Sequence, residues 1–417
     1  MPFPPTQTPP TAAHSRIEAL LRERLPATLE FLRDLVGINS YTGHRDGVNR
    51  LARFTARHFA PLGFQAEFVP HKNPACGDHL VLTRPGAAAR SIALISHLDT
   101  VFPPEEEERN NFRWQPDGPR IYGPGTIDIK GGTAMMHLVL SVLAETDPKA
   151  FQQITWRLLW NSSEETLSRD FTSVCRERLD PATTIAALVF EAEGRPHGTP
   201  CLVVARKGRA TFRVTVEGRA SHAGAKHPRG ANAISQIGRT VNRIAELTDY
   251  SRDLTFNVGV IAGGVAVNRV PHVATAEVEM RAFSRDIYQA GVQSILGLQG
   301  PGDVASSVDG FRCQVRIELI EESPPWPRNP GTDRLFSAWK AAAGDLGQPL
   351  DSEERGGLSD GNWICDHVPT LDGLGPHGDN DHCSERSADG TKVPEYILVD
   401  SIVPKALLNT VALRRLL

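Results

Sequence analysis

Three apolar runs of the sequence each end in side chains that can bind a divalent cation. The side chains that follow these runs are, in chain order, the pair His97 and Asp99, the pair Glu164 and Glu165, and Glu191. Imidazole and carboxylate groups are the ligands of zinc centres that keep a position open for water. A carboxylate beside a pair of cations can also take a proton from the water that the cations activate. The pattern therefore predicts water activation at a metal centre.

The first pair, His97 and Asp99, lies two positions apart at the end of the apolar run at 91–95. Side chains two apart leave a strand on the same face, so Asp99 can lie behind His97 and fix its tautomer. An exposed loop with the same residues is the alternative interpretation. Further on, Asp128 lies in a Gly- and Pro-containing turn at 123–132 that can aim one carboxylate inward. A cap on the next helix is the alternative for Asp128.

The second pair, Glu164 and Glu165, consists of adjacent residues. At a strand end, adjacent carboxylates can diverge, so that one binds a metal ion and the other acts as a general base. Without that context a Glu-Glu pair is ordinary surface charge. The third run ends in Glu191, where a carboxylate at a buried strand tip needs a partner. Glu193 is a competing candidate for this position.

The elements that must position these residues are strands. The runs at 91–95, 154–160 and 185–192 are continuously apolar, as expected of strands that are covered on both faces. Between the first two, Gly131-Gly132 precedes apolar residues at helical spacing. Strand, helix and strand in this order predict an α/β fold, with a mainly parallel sheet flanked by helices. Ligands of such open sheets bind beyond the carboxyl ends of the strands.

A second domain is predicted where the pattern changes near residue 207. Apolar residues alternate at 210–216 and again at 311–319, and two helices and two strands lie between these segments. The order β-α-β-β-α-β is that of a ferredoxin-like α+β sandwich. This pattern predicts a domain inserted at 207–322 into the α/β unit.

The remaining boundaries follow from composition and periodicity. Residues 1–14 form a proline-rich lead that is expected to be disordered, and the α/β unit comprises 15–206 and 323–417. Two helical stripes at the start of this unit are predicted to be separate helices, because Pro26 lies between them.

Composition narrows the functional classes. The 417 residues carry a formal net charge of -4, so no basic surface for nucleic acid is expected. The sequence has no apolar stretch that approaches the roughly 20 residues of a membrane span. Six scattered cysteines without a CxxC pair favour reduced thiols and a cytoplasmic location.

Taken together, the motifs resemble those of the cocatalytic dizinc exopeptidases and amidohydrolases. That family includes glutamate carboxypeptidase, succinyl-diaminopimelate desuccinylase, acetylornithine deacetylase and aminoacylase. The motifs that carry the resemblance are His97-Leu98-Asp99-Thr100-Val101, the segment 123–132, Ser163-Glu164-Glu165, Ser221-His222-Ala223-Gly224 and Gly373-Leu374-Gly375-Pro376. The bacterial glutamate carboxypeptidase branch is the most similar, through Phe190-Glu191, Asn268-Arg269-Val270-Pro271 and Arg281. The resemblance implies that the inserted domain is a lid and dimerisation domain and that the protein is a homodimer.

The resemblance also implies two zinc ions per subunit, although imidazole and carboxylate ligands suit cobalt or manganese as well. His97 and Glu191 would hold one ion, Glu165 and His382 the other, and Asp128 would bridge them. His377 is the alternative to His382. Between this histidine and the Glu-Tyr pair usual in the family, residues 383–394 form an insertion.

For catalysis, the resemblance implies that Glu164 is the general base and that Asp99 orients His97. His222 would reach into the partner subunit's active site and donate to the oxygen that becomes negative. Arg281 and Asn268 would hold the carboxylate and the carbonyl of the substrate.

The expected activity is hydrolysis of an amide bond next to an amino acid with a free carboxylate, in a peptide or a small molecule. A carboxypeptidase is favoured, and an N-acyl amino acid deacylase is the alternative. A binding protein without activity on the same fold is a second alternative. A structural zinc module is disfavoured, because sites rich in oxygen ligands leave a position open for water.

Overall fold

The computed structural model describes residues 12–166 and 169–417, which form two compact units. The larger unit contains the described residues up to Val204, together with Arg328–Glu354 and Ser359–Leu417. The smaller unit contains Ala205–Pro327 and Arg355–Leu358, and the predicted inserted domain at 207–322 lies within it. Of the predicted disordered lead, residues 1–11 lie outside the described residues, whereas residues 12–14 already belong to a helix.

The helices and strands are numbered in chain order. The helices are α1 (Ala12–Val36), α2 (Arg45–Phe59), α3 (Pro104–Arg109), α4 (Gly131–Thr146), α5 (Pro148–Gln153), α6 (Asp170–Arg178), α7 (Ala233–Ala245), α8 (Arg285–Leu296), α9 (Pro330–Asp345), α10 (Gly361–Ile364) and α11 (Val399–Leu416). The strands are β1 (Gln65–Val69), β2 (His79–Arg84), β3 (Ser91–His97), β4 (Gln115–Asp117), β5 (Arg120–Tyr122), β6 (Thr155–Asn161), β7 (Thr184–Val189), β8 (Cys201–Arg206), β9 (Gly208–Glu217), β10 (Thr255–Gly263), β11 (Val273–Ala282), β12 (Gly300–Ala305), β13 (Arg312–Ser323), β14 (Asp351–Arg355), β15 (Thr370–Leu371), β16 (Gly378–Asp379) and β17 (Tyr396–Leu398).

The larger unit is built around a six-stranded sheet with the order β1-β2-β6-β3-β7-β15. Strands β6, β3, β7 and β15 are parallel, while β1 and β2 add two antiparallel pairings at one edge. On β3, Ile92 and Leu94 face one apolar core and Ala93 and Ile95 face another. Both faces of the sheet are therefore covered, which confirms the predicted α/β class with a mainly parallel, mixed sheet.

Helix α1 corrects one prediction, since it continues through Pro26 as a single helix. Its buried residues Ile17, Leu21, Phe31, Leu32 and Leu35 keep one helical period on both sides of the proline. A proline removes one N–H donor from the helix, but both halves bury the same face in the same core. Core packing across both halves thus keeps the helix continuous.

Helix α4 packs inside the larger unit. The stretch Thr126–Thr146, which contains this helix, is long and apolar enough to cross a membrane by length and composition alone. Yet 78% of its most apolar window is buried within the fold. The prediction that no apolar stretch approaches the length of a membrane span was therefore wrong, but a buried core helix meets the same criteria, so this stretch is only weak evidence for a span.

The smaller unit contains a five-stranded antiparallel sheet with the order β10-β11-β9-β13-β12. Helices α7 and α8 follow β9 and β11, and their apolar residues join those of the sheet in one core. This arrangement confirms the ferredoxin-like α+β prediction. The edge strand β12 is an addition that the sequence pattern did not indicate, because only short stretches of its residues are apolar.

All six cysteines lie in the described part of the chain, and no disulfide bond joins any of them. The cytoplasmic location that was inferred from the cysteine pattern stays a prediction.

Candidate metal centre

The candidate centre lies at the carboxyl ends of three parallel strands. β3 is central among them, since it pairs with β6 on one side and with β7 on the other. His97 is the last residue of β3, and Glu164 and Glu191 follow the ends of β6 and β7 within three residues. Because parallel strands end at the same edge of a sheet, side chains that are far apart in sequence meet here.

Two triads of possible ligands share the side chain of Asp128. The first comprises His97, Asp128 and Glu191, and the second comprises Asp128, Glu165 and His382. Within each triad, one ligand atom from each residue lies within 4.8 Å of the other two.

The carboxylate of Asp128 divides its two oxygens between the triads. Its Oδ1 lies 2.9 Å from Nε2 of His97, and its Oδ2 lies 3.2 Å from Nε2 of His382. Nε2 of His97 is also 3.9 Å from Glu191, and Nε2 of His382 is 3.2 Å from Glu165. This is the arrangement that a bridging carboxylate requires.

Asp99 acts on both His97 and the Glu-Glu turn. Nδ1 of His97 lies 3.0 Å from the backbone carbonyl of Asp99 and 3.4 Å from its carboxylate, so Nε2 faces Asp128. The carboxylate of Asp99 also accepts the backbone N–H groups of Glu164 and Glu165, at 3.0 and 3.2 Å, and the hydroxyl of Thr42 at 2.7 Å. The sequence indicated the contact of Asp99 with His97 but not its contacts with the Glu-Glu turn.

The turn that carries Asp128 is held by Glu395, a residue for which sequence reasoning proposed no role. Oε1 of Glu395 accepts the backbone N–H groups of Ile127 at 2.9 Å and of Asp128 at 3.2 Å. Burial, together with the nearby charge of Asp128, raises the pKa of Glu395 to about 8. Gly125 takes a left-handed φ of 75° at the start of the same turn.

The insertion at 383–394 leaves this contact intact. The backbone N–H of Glu395 donates to the carbonyl of Cys383 at 2.8 Å, so the two ends of the inserted loop meet. Residues on either side of the loop, His382 and Glu395, therefore both remain at the turn of Asp128.

Two glycines fix the backbone around Glu191. A Cβ on Gly132 would overlap the carbonyl oxygen of Phe190, and a Cβ on Gly375 would lie 2.6 Å from the same oxygen. Side chains larger than glycine would displace this backbone. The Gly-Gly motif at the start of α4 and the Gly-containing motif at 373–376 therefore both serve to position Glu191.

The competing candidates lie elsewhere. Glu193 is buried and pairs with Nζ of Lys405 at 3.0 Å and with Nε of Arg195 at 2.7 Å. Nδ1 of His377 lies 3.1 Å from the backbone carbonyl of Glu193. The structure thus brings Glu191 and His382 into the triads, and their role as ligands stays a prediction.

Carboxylates outnumber cationic side chains at this edge of the sheet. Hydrogen bonds to Asp128 and Glu165 raise the pKa of His382 to about 11. Burial, and then the charge of Asp128, raise the pKa of Glu165 to about 7. Burial likewise raises the pKa of Glu164 well above its ordinary value and that of Asp360 to about 7. For the three carboxyl groups burial is the first cause, because a charged carboxylate loses its hydration there, and neighbouring carboxylates add to the effect.

The donor set fits divalent cations. Two imidazole nitrogens and three carboxylates are ligands that zinc, cobalt and manganese accept, with one carboxylate shared between two positions. A cation in each triad would supply the positive charge that protons on the histidines supply otherwise.

The three residues predicted to bind substrate belong to the smaller unit. His222 is exposed, and its Nδ1 accepts the backbone N–H groups of Gly224 and Ala225, both at 3.1 Å. Its Nε2 therefore carries the proton and can donate. The guanidinium of Arg281 contacts Glu279 at 2.7 Å and the carbonyl of Gly356, also at 2.7 Å.

Asn268, the third of these residues, accepts the backbone N–H of Ala223 at 2.9 Å with its backbone carbonyl. This bond joins the segment of Asn268 to the segment that carries His222. The substrate-binding roles of all three residues stay predictions.

Comparison with known proteins gives one family and several relatives. The profile of peptidase family M20/M25/M40 matches residues 93–399. Carboxypeptidase G2 of Pseudomonas sp. (strain RS-16) is 27% identical over 384 residues, which are 92% of this chain and 87% of that protein. Acetylornithine deacetylase of Klebsiella pneumoniae (strain 342) is 26% identical over 323 residues, 74% of this chain and 79% of that protein.

Among solved structures, aminopeptidase PepT from Bacillus cereus ATCC 10987 has the same fold. It superposes with a TM-score of 0.73 at 22% identity and covers 94% of this chain and 97% of that one.

Zinc binding to the metal-free protein at pH 7 is expected to release about one proton or more per subunit. The raised pKa of His382 means that its ring is charged at this pH, and a cation must displace that proton. Titration calorimetry in two buffers with different heats of ionisation measures the released protons, and metal analysis gives the number of ions bound.

Two histidine variants separate the assignments. His382→Asn should lower the zinc content from two ions towards one and reduce proton release, whereas His377→Asn should resemble the wild type. The opposite result would exchange the roles of His382 and His377.

Proposed function

Because the chain belongs to peptidase family M20/M25/M40, we propose that it is a dizinc, carboxypeptidase-like exopeptidase. Its substrate would be a peptide or small molecule in which the scissile amide bond adjoins an amino acid with a free carboxylate. The observation that carries the proposal is the pair of triads that share Asp128, with Glu164 on the adjoining turn.

His97, Glu191, Glu165 and His382, with Asp128 between them, are the side chains that would hold the two ions. The bound ions would polarise the scissile carbonyl group and make water acidic enough to react at neutral pH. Zinc is proposed, and cobalt and manganese are the alternatives.

Glu164 is proposed to take the proton from the attacking water and to pass it to the leaving nitrogen. Its backbone is fixed by the carboxylate of Asp99, while its own side chain has no role in either triad. Burial raises its pKa above the ordinary value, which makes the carboxylate form of Glu164 a stronger base once nearby cations favour that form.

Arg281 is proposed to bind the free carboxylate of the substrate. Asn268 is proposed to bind the substrate's carbonyl group. The protonated Nε2 of His222 would donate to the oxygen that gains negative charge, in the active site of the partner subunit. A planar guanidinium binds a carboxylate with two parallel hydrogen bonds, which supports a specificity for free carboxyl groups.

A carboxypeptidase is favoured over a deacylase because the match to carboxypeptidase G2 extends over 92% of this chain, whereas that to acetylornithine deacetylase extends over 74%. Both activities need a free carboxylate on the amino acid that is released. The two activities differ in the group on the carbonyl side of the scissile bond, which is a peptide or an acyl group.

Glu164→Gln is expected to lower kcat by about 100- to 10,000-fold while two ions remain bound per subunit. Glu165→Gln should instead lose one ion. Metal analysis and steady-state kinetics distinguish the two variants. Loss of an ion in Glu164→Gln, with full metal content in Glu165→Gln, would mean that the two roles are reversed.

Hydrolysis of a substrate panel by zinc-loaded protein tests the substrate class. Dipeptides and folate-type substrates should be cleaved with higher kcat/KM than N-acetyl amino acids, and C-terminally amidated peptides should be poor substrates. Arg281→Ala should raise KM for the free acids about 10- to 100-fold, which corresponds to the loss of a charged hydrogen bond.

The matched control is Arg213→Ala, because Arg213 lies on the neighbouring strand β9 and pairs with Glu277 in an exposed ion pair. Faster cleavage of N-acetyl amino acids would favour the deacylase. If no member of the panel were cleaved, the proposed enzymatic function would be wrong.

Self-association through the smaller unit belongs to the same proposal, since the proposed role of His222 needs a partner subunit. β10 is an edge strand of its sheet, and Val260 and Ile261 on this strand are exposed, as are Val265 and Val267 just after it. An unpaired strand with exposed apolar residues is a surface suited to pairing with a second copy.

Light scattering should therefore give twice the chain mass of 45.5 kDa. Val260→Asp should shift the protein to the monomer, because a charged side chain on the edge opposes strand pairing. Val308→Asp is the matched control, since Val308 is comparably exposed but lies outside β10. A monomeric wild type would exclude the proposed assembly.

A further inference from the structure

A second cluster of titratable side chains lies behind the turn that carries Glu164. It comprises His71, His79 and Asp170, whose nearest side-chain atoms lie within 4.8 Å of one another. His79 is fully buried on β2, and Asp170 is the first residue of α6. No step in the proposed hydrolysis uses these residues.

Backbone donors assign the tautomer of each histidine. The N–H of Asn73 donates to Nδ1 of His71 at 2.8 Å, and the N–H of Ser162 donates to Nδ1 of His79 at 3.1 Å. A neutral imidazole has one acceptor and one donor, so Nε2 carries the hydrogen in both rings. Burial lowers the pKa of His79 to about 4, so this ring is neutral at pH 7.

The two Nε2–H groups have different neighbours. Nε2 of His71 lies 3.0 Å from Oγ of Ser163, whereas Nε2 of His79 lies 3.5 Å from Oδ2 of Asp170 and forms no hydrogen bond with it. Asp170 in turn accepts the backbone N–H of Lys72 at 2.7 Å and pairs with its Nζ at 3.0 Å. The carboxylate is thus anchored to the segment that carries His71.

This assignment argues against a third metal ion, although two histidines and an aspartate are possible ligands. A metal ion needs a nitrogen lone pair from each ring. Both Nδ1 lone pairs accept backbone hydrogen bonds, and both Nε2 atoms carry hydrogens. Binding a cation would leave the buried N–H of Ser162 without an acceptor.

One contact from each histidine leads to the turn of Glu164, through Ser163 for His71 and through Ser162 for His79. Ser162 and Ser163 follow the end of β6, and the carbonyl of Ser163 accepts the N–H and the hydroxyl of Thr166 at 3.4 and 3.2 Å. From the other side, Asp99 accepts the N–H groups of Glu164 and Glu165. The turn is therefore held between Asp99 and the two histidines.

We infer that His71 and His79 are positioning residues, which hold Ser162 and Ser163 so that the carboxyl group of Glu164 points towards the reacting water. Asp170 supports them by anchoring the segment at 71–73 through Lys72. The inference rests on the proposed role of Glu164 as general base. A small misplacement of a catalytic group can lower turnover about 100-fold, so a contact two residues away is enough to matter.

The test compares His79→Leu with His79→Asn. Oδ1 of asparagine can replace Nδ1 as the acceptor of the Ser162 N–H, whereas leucine offers no acceptor. His79→Leu should lower kcat by about 10- to 100-fold without changing KM or metal content. It should also speed hydrogen exchange of the Ser162 amide. His79→Asn should restore both the turnover and the protection of this amide.

A second pair of variants serves if His79→Leu does not fold. The side chain of His71 is slightly less buried than that of His79, with exposed fractions of 9% and 0%. His71→Gln keeps a donor near Ser163, while His71→Leu removes it. The control for replacing a histidine in the core is His137→Leu, which removes a ring that packs on Phe31 and His58. Its kcat should equal that of the wild type.

Hydrogen exchange separates this inference from the proposed function, because it can be measured even in a protein that cleaves none of the panel substrates. Unchanged exchange of the Ser162 amide in His79→Leu would overturn the inference. Faster exchange with an unchanged kcat in His79→Leu would also overturn the inference, because His79 would then have only a structural role. A third zinc ion in the wild type that is lost in His79→Leu would also overturn it and would identify a metal site.

Discussion

Crowding of carboxylates at one edge of a parallel sheet is the constraint on which the rest of the larger unit depends. Asp99, Asp128, Glu164, Glu165 and Glu191 approach this edge from four separate segments of the chain. Like charges this close repel one another unless cations or protons neutralise them. Neighbouring carboxylates contribute to the raised pKa values of His382 and Glu165, because a bound proton reduces the repulsion. The fold therefore holds these groups together at a cost that bound cations relieve.

Neutral backbone donors and close packing hold the acidic residues in place. Asp99 accepts the amides of the Glu-Glu turn, and Glu395 accepts those of the turn that carries Asp128. Gly132 and Gly375 let two segments approach the backbone before Glu191 without steric overlap. The backbone at these acidic residues is thus held in place, and adjustment to a ligand is confined to the side chains.

Much of this arrangement could be predicted from sequence because its signals are local. The apolar runs of β3, β6 and β7 are continuous, and the acidic or imidazole residues come at the end of each strand or within the next few residues. Other features depend on tertiary packing.

The continuity of α1 through Pro26 depends on a shared core, which a local rule about proline does not include. Glu395 and His79 act through backbone amides far away in sequence, and nothing in their immediate neighbours indicates those partners. The strand β12 was missed because its Gly, Pro and Asp residues are poor strand formers that pairing with β13 overrides.

Because the two triads share the side chain of Asp128, both depend on the same residue. One oxygen serves each triad, so a substitution at this codon would impair both halves at once. Changes in substrate preference are therefore expected at other positions, in segments such as the inserted loop at 383–394, whose two ends meet at Cys383 and Glu395.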